Sequence, residues 1–292
     1  MKQTEPTLYV AATPIGNLSE ASPRLKELLG SCDLVLCEDT RVTHKLFAAF
    51  DIPVKRLVSC HQYNERQKAG ALVAQIAEQG LSACLVTDAG TPCISDPGFA
   101  VVNAAWERGL AVRAVSGPCA AAAALSISGF ETPNYGFFGF LPRERKARTE
   151  ALARIRGCGL ALAVLYESPF RVKALLAELA QALPGVRLSL SCDLTKLFER
   201  TLRGEPLELL ALLEQNPNAE KGEYALVLDL SRVSPPPPPP KPSARALLLD
   251  LLLGGLPLRE AMARVSAMEG YSRNEVYRAS LEAARLFPDE QD

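Results

Sequence analysis

Short apolar runs alternating with amphipathic stretches are what most constrains this chain. Residues 8–12, 34–37, 56–59, 82–86 and 111–115 read as strands. Between most of them lie stretches of about 10 to 15 residues with helical spacing, such as Leu72, Val73, Ile76 and Ala77. Ser22-Pro23 is an N-cap followed by proline at the first helical position, and Gly80 closes the helix before the fourth strand. A further helix spans 98–108, and an alanine-rich one runs to about Ser128. Strands separated by helices in this way predict a mostly parallel sheet covered on both faces.

A parallel sheet brings the carboxyl ends of its strands to one edge, which is where open α/β folds bind ligands. In this chain, polar and glycine-rich residues follow each strand. The densest such stretch is residues 87–98, which opens Thr87-Asp88-Ala89-Gly90-Thr91-Pro92-Cys93 and closes Asp96-Pro97-Gly98. Asp, Gly and Pro at this density suit sharp turns and close approach of backbone to a ligand. The shared placement makes the loops one candidate site rather than five unrelated turns.

A second α/β unit starts near Asn134. Strands are expected at 135–140, 160–166, 187–191, 196–203 and 224–230, with a helix at 170–182. The shorter spacing predicts a mixed sheet. Six prolines, 235–240, read as an extended spacer. Helices are expected beyond it at 243–253, 258–268 and 272–286, the last opened by the capping-box pair Ser272 and Glu275. The last two resemble a helix-turn-helix joined at Gly270, or a plain helical hairpin. The domain reading is therefore 1–130, 131–232, a linker at 233–242 and a helical module at 243–292.

Composition removes several classes. The net charge of −1 gives no global basic field. Eight cysteines with no C-x-x-C pair, and only His44 and His61 as imidazoles, leave neither a disulfide framework nor a zinc site expected. The longest apolar candidate, 246–258, is broken by Asp250, Gly254, Gly255 and Pro257, so a soluble cytoplasmic protein without a membrane span is expected. The usual dinucleotide fingerprint, the P-loop and the G-x-S-x-G elbow are all missing from the sequence.

Thr13-Pro14-Ile15-Gly16-Asn17-Leu18, Glu38-Asp39-Thr40-Arg41, the 87–98 stretch and Ser116-Gly117-Pro118-Cys119-Ala120 follow one another in order. Gly139-Phe140-Leu141-Pro142, Tyr166-Glu167-Ser168, Leu194-Thr195-Lys196 and Lys221-Gly222-Glu223 extend the pattern. Over about residues 8–230 the chain resembles the tetrapyrrole methylase superfamily, and specifically its ribosomal RNA branch. The resemblance implies two α/β domains with a cleft between them that binds S-adenosylmethionine. It also implies methylation of the ribose 2′-hydroxyl of cytidine 1402 in 16S rRNA, within the 30S subunit, by a homodimer. Tyr63 stands where the family pattern has a histidine, and Cys192-Asp193 where it has Arg-Glu.

A ribose hydroxyl is a weak acid, so a general base helps its methylation. Glu38, Asp39, His61, Glu65 and Glu167 are the candidates, each with a structural alternative as a helix cap or a partner of Arg41 or Arg171. Pro14, Gly16, Asp88, Gly90, Thr91, Ser116, Gly117 and Ala120 are assigned to the donor pocket, with Gly90 making contact chiefly through its backbone. Arg143, Arg145, Lys146 and Arg148 form a positive patch for RNA phosphates, and Arg273 and Arg278 are a second source, expected to face similarly at i and i+5. The competing readings are a porphyrinoid methyltransferase and a DNA-binding regulator with a ligand-sensing core.

Overall fold

The computed structural model describes residues 5–235, 241–284 and 286. The expected proline spacer thus lies outside the described residues except for Pro235. The chain divides into two compact units, Met1–Pro236 and Pro237–Asp292.

The first unit contains two five-stranded sheets. The first sheet comprises β1 (Thr7–Ala11), β2 (Leu34–Cys37), β3 (Arg56–Ser59), β4 (Ser82–Val86) and β5 (Ala111–Val115). All its pairings are parallel, in the order β3-β2-β4-β1-β5. Its helices are α1 (Pro23–Ser31), α2 (Thr40–Ala49), α3 (Glu65–Glu78) and α4 (Phe99–Glu107). The period-2 alternation of β2 separates two cores. Leu34 and Leu36 pack with Leu72, Ile76 and Val101 of α3 and α4, while Val35 and Cys37 pack with Leu25, Leu29 and Phe47 of α1 and α2. The central strand is β4, so the stretch that follows it sits mid-edge with the other strand-end loops around it. Ser22 accepts the Leu25 N–H at 3.1 Å, as its N-cap position requires.

The second sheet comprises β6 (Tyr135–Phe140), β7 (Leu162–Glu167), β8 (Arg187–Cys192), β9 (Arg200–Gly204) and β10 (Tyr224–Asp229), in the order β6-β7-β10-β8-β9. Only β6 and β7 are parallel, so the sheet is mixed. One face carries α6 (Arg145–Arg156), α7 (Val172–Ala182) and α8 (Pro206–Glu214). The other carries α5 (Ala120–Ser128), whose Ala121 and Ala124 pack on Leu162, Val164, Ala225 and Val227. Small side chains allow that close approach. The strand expected at 196–203 is confined to β9, because Asp193 and Thr195 adopt positive φ (54° and 66°) and turn the chain before pairing can start.

In the second unit, α9 (Ala244–Leu253), α10 (Leu258–Ser266) and α11 (Arg273–Ala284) enclose Leu248, Ala261, Val265 and Val276. Ser243 and Ser272 cap α9 and α11 through the amides of Ala246 and Glu275. Among the described residues, no helix is long and apolar enough to cross a membrane.

Candidate active site

The β4 loop is hydrogen-bonded to every other strand-end loop of the first sheet. Thr13, after β1, exchanges backbone bonds with Gly90, donating at 2.9 Å and accepting at 3.1 Å. The Thr13 hydroxyl donates to the Thr87 carbonyl at 3.1 Å. Asp39, after β2, donates its N–H to Asp88 Oδ1 at 3.1 Å. Glu65, where α3 opens after β3, accepts the Gly98 N–H at 2.6 Å. The Thr91 hydroxyl donates to the Pro118 carbonyl after β5 at 3.0 Å. Gly90 can hold both bonds to Thr13 because its φ is +91°, a conformation that L side chains rarely adopt.

These loops wall a cavity of about 440 Å³, closed on the other side by the second sheet. Ile15, Ile94, Phe140, Tyr166 and Leu194 give it apolar walls, and Tyr166 packs edge-on against Phe137 and Phe140 with ring centroids 5.1 and 5.7 Å apart. Glu38, Asp88, Asp96 and Glu223 line it as well, and no lining residue among those described is basic. Burial pushes the carboxyls of Glu38, Asp88 and Asp96 above the ordinary carboxylate range, and repulsion within the group adds to this: Asp88 acts on Glu38 and Asp96, Asp39 on Asp88. The cations nearby are already paired. Lys196 lies 3.0 Å from both Asp193 and Glu223, and Arg171 lies 2.6 Å from Glu167. The cavity is therefore acidic with an apolar lining, which suits a ligand that carries positive charge on a largely apolar frame.

A second cavity of about 280 Å³ lies between the β1 loop and α2. Pro14 and Gly16 line it, whereas Ile15 between them lines the first. A Cβ on Gly16 would collide with the aliphatic stem of Lys196.

Of the proposed bases, Glu38 and Glu167 line the first cavity. Glu167 is 2% exposed, is paired with Arg171 and accepts the Ser168 N–H at 2.6 Å. Asp39 caps α2 through the Arg41 N–H, and hydrogen bonds from the Arg41 side chain and backbone hold its carboxyl at about 2. His61 sits 3.0 Å from the Asn64 amide, away from the cavity lining, and Glu65 ties α3 to Gly98. Asp88, Gly90, Thr91 and Ala120 line the first cavity, but both backbone groups of Gly90 are taken by Thr13. Ser116 and Gly117 line neither cavity, and a Cβ on Gly117 would press on Ala12 at 3.1 Å. Tyr63 is 86% exposed.

Among the basic residues, Arg143, Arg145 and Lys146 are exposed at the start of α6. Arg148 is not available in the same way. Its guanidinium meets both carboxylate oxygens of Glu178 at 2.6 Å and donates to the carbonyls of Pro142 and Arg143. Arg273 and Arg278 are both exposed on α11, yet five residues correspond to about 140° of rotation, so they do not share a stripe. Sequence reasoning missed Asp96 and Ile94 inside the very stretch it singled out, and Cys119, Leu194 and Ala225 across the cleft. The small-residue spacing of α5 was the available signal for a helix packed tightly beneath the site.

The family described as Tetrapyrrole (Corrin/Porphyrin) Methylases matches residues 7–209. A protein of Vibrio cholerae named ribosomal RNA small subunit methyltransferase I is 39% identical over 283 residues, covering 95% of each chain. The crystal structure of a diphthine synthase superposes with a TM-score of 0.58 at 15% identity, over 78% of this chain and 91% of its own. A uroporphyrin-III C-methyltransferase of Thermus thermophilus, complexed with S-adenyl homocysteine, gives 0.52 at 16% identity, over 76% and 96%. The two structural likenesses concern the fold alone.

Proposed function

We propose, for a chain that belongs to the tetrapyrrole (corrin/porphyrin) methylase family and within it to the ribosomal RNA small subunit methyltransferases I, that it methylates the ribose 2′-hydroxyl of cytidine 1402 in 16S rRNA with S-adenosylmethionine as donor. The observation that carries the reading is the first cavity. Its apolar walls and its carboxyls without a lining base fit a sulfonium cation joined to an adenosine, which is the donor's chemistry. When bound, that donor supplies an electrophilic methyl group, which a hydroxyl oxygen takes as it gives up its proton.

The chain's own part is positioning, charge and proton transfer. Glu38 and Asp88 hold carboxylate oxygens at the cavity wall, and burial makes each a stronger proton acceptor than an exposed carboxylate. Tyr166 and Phe140 offer aromatic faces to the apolar part of the ligand. Arg143, Arg145 and Lys146 follow the strand that ends at Phe140, and they would meet phosphates of the RNA. Leu197 and Phe198 are 90% and 78% exposed on the loop carrying Leu194, and supply apolar surface for a second copy in a cytoplasmic homodimer.

The test is incubation with methyl-labelled donor and 30S subunits from cells lacking the protein. Label is expected at one cytidine of 16S rRNA, with the adjoining phosphodiester made resistant to alkali. Label on a base, or only in a porphyrinoid offered in parallel, refutes the reading.

A further inference from the structure

We infer that the second cavity seats the target nucleotide of the RNA, so that Asp88 stands between methyl donor and acceptor. This rests on the methyltransferase reading above. The two cavities share one lining residue, Asp88. Along the β1 loop the partition is made by alternation, with Ile15 lining the donor side and Pro14 and Gly16 the other. A transfer between two ligands needs two seats that meet at one point, and this is where these meet.

The two seats also differ in charge. Among the described residues, the first is lined by carboxyls and by no basic side chain, and in the second Lys45 is the only basic lining residue and the shared Asp88 the only acidic one. Leu18, Val42 and Leu46 present an apolar wall, and Leu18 remains 48% exposed, with no full cover from the chain. An apolar wall with a cation at its mouth matches a nucleobase face followed by a phosphate. A volume of about 280 Å³ lies just below the range of drug-sized ligand cavities (about 300–1,000 Å³), which suits one nucleoside drawn out of its stack. Thr43 is committed already, its hydroxyl donating to the Asp39 carbonyl at 3.1 Å, so the base would be held by packing more than by hydrogen bonds from this wall.

Ala49 tests the seat without disturbing the core. It is exposed at the end of α2 and lines only the second cavity. Ala49→Trp fills the space and is expected to lower kcat/KM for 30S subunits by about 100-fold through misplacement of the nucleotide, with the dissociation constant for S-adenosylmethionine unchanged by calorimetry. Lys45→Glu is expected to raise KM for the subunit several-fold and to lessen its salt dependence by roughly one counterion. A photo-crosslinker at position 49 is expected to attach within a few nucleotides of the methylated cytidine in the intact 30S subunit. Unchanged kinetics in Ala49→Trp, a loss confined to donor affinity, or crosslinks only at distant rRNA positions or only to protein would overturn the inference. A wild-type protein that methylates no rRNA would instead overturn the function proposed above.

Discussion

Replacing Gly90 by alanine separates the cost of a strained backbone from the cost of a spoiled site. At φ +91° an L-residue leaves its favoured region, a penalty of about 1–2 kcal/mol. The new Cβ would stand 3.2 Å from Ile15 Cγ2, so Ile15 must yield by a few tenths of an ångström, which costs about 0.5–1.5 kcal/mol more if it leaves its rotamer. Together these give about 1.5–3.5 kcal/mol, or a Tm lowered by about 3–14 °C at the roughly 2–4 °C per kcal/mol usual for units of this size. Ile15 lines the first cavity, the seat proposed above for the donor, so affinity for S-adenosylmethionine should also fall, by about tenfold for each 1.4 kcal/mol lost. Gly80→Ala is the control. Its φ is +63° and nothing lies within 4 Å of a Cβ there, so only the backbone penalty applies. Scanning calorimetry and titration with the donor should show both variants less stable but only Gly90→Ala impaired in binding. Equal donor affinity in the two would refute the claim that the Thr13–Gly90 bridge sets the cavity wall.

The remaining expectations follow from charge and pairing. Asp88→Asn keeps an oxygen for the Asp39 N–H but removes a carboxylate from the cavity; donor affinity should fall about tenfold, the scale of one lost charge-assisted contact. Because burial raises the Asp88 carboxyl above its unfolded value, its effect on stability is fully favourable at low pH and is lost as pH rises through the raised value. Asp88→Asn should therefore raise Tm at pH 7 and change it little at pH 4. Donor affinity of the parent should weaken on acidification sooner than ordinary carboxylates predict, as Glu38, Asp88 and Asp96 protonate. Arg148→Ala should lower Tm through loss of the Glu178 pair and two carbonyl bonds, whereas Arg145→Ala should leave Tm alone and reduce RNA affinity and its salt slope. Asp229 is 5% exposed; burial would raise its carboxyl, but the hydrogen bonds from Ser231 and Arg187 prevail and hold it low. Its stabilisation is present above the unfolded carboxylate range and lost as pH falls through the depressed value; because the Arg187 side chain is 40% exposed and Asp229 keeps its bonds from Ser231, Arg187→Ala should cost only about 1 kcal/mol at pH 7 in chemical denaturation.

The strands of the first sheet were the most legible elements. Buried on both faces, β2 and β4 are short runs dominated by apolar residues, whereas the edge strand β5 is exposed at Arg113 and Ala114; the bounds read from sequence for β2 to β5 coincide with those of the structure. Helix α2 is harder to see, although Asp39 caps it and Val42, Leu46 and Phe47 have helical spacing, because the polar motif at residues 38–41 that ends β2 also opens the helix. Helix α8 is also harder to see, despite Pro206 at its first turn and the Glu205–Glu208 capping box. In both cases the local signal was present and a competing assignment took its place. The turn at 193–196 is different: positive φ at Asp193 and Thr195 goes with hydrogen bonds from the Asp193 N–H to the Glu223 carbonyl, thirty residues on, and from the Thr195 N–H to the Glu199 carboxylate, and the first of these partners is not visible in the local sequence.

What the sequence could not reveal is which polar loop residues face inward. Asp39 and Asp88 are both aspartates after a strand, and their fates diverge through one neighbour. Arg41 neutralises Asp39 and draws it onto the end of α2, whereas Asp88 receives only a backbone N–H and keeps its charge towards the cavities. The same division separates Glu167, paired with Arg171, from Glu38, which has no ion pair among the described residues. A site for a cationic donor needs carboxylates that the fold has left uncompensated, and an uncompensated buried carboxylate opposes folding. The β4 loop eases that conflict by tying itself to all four neighbouring loops through bonds that leave the Glu38 and Asp96 carboxyls out: backbone and hydroxyl bonds to the β1 and β5 loops, and backbone amides donating to the Asp88 and Glu65 carboxylates at the other two. Glu38 and Asp96 are thus held in place by a framework whose stability does not depend on neutralising them.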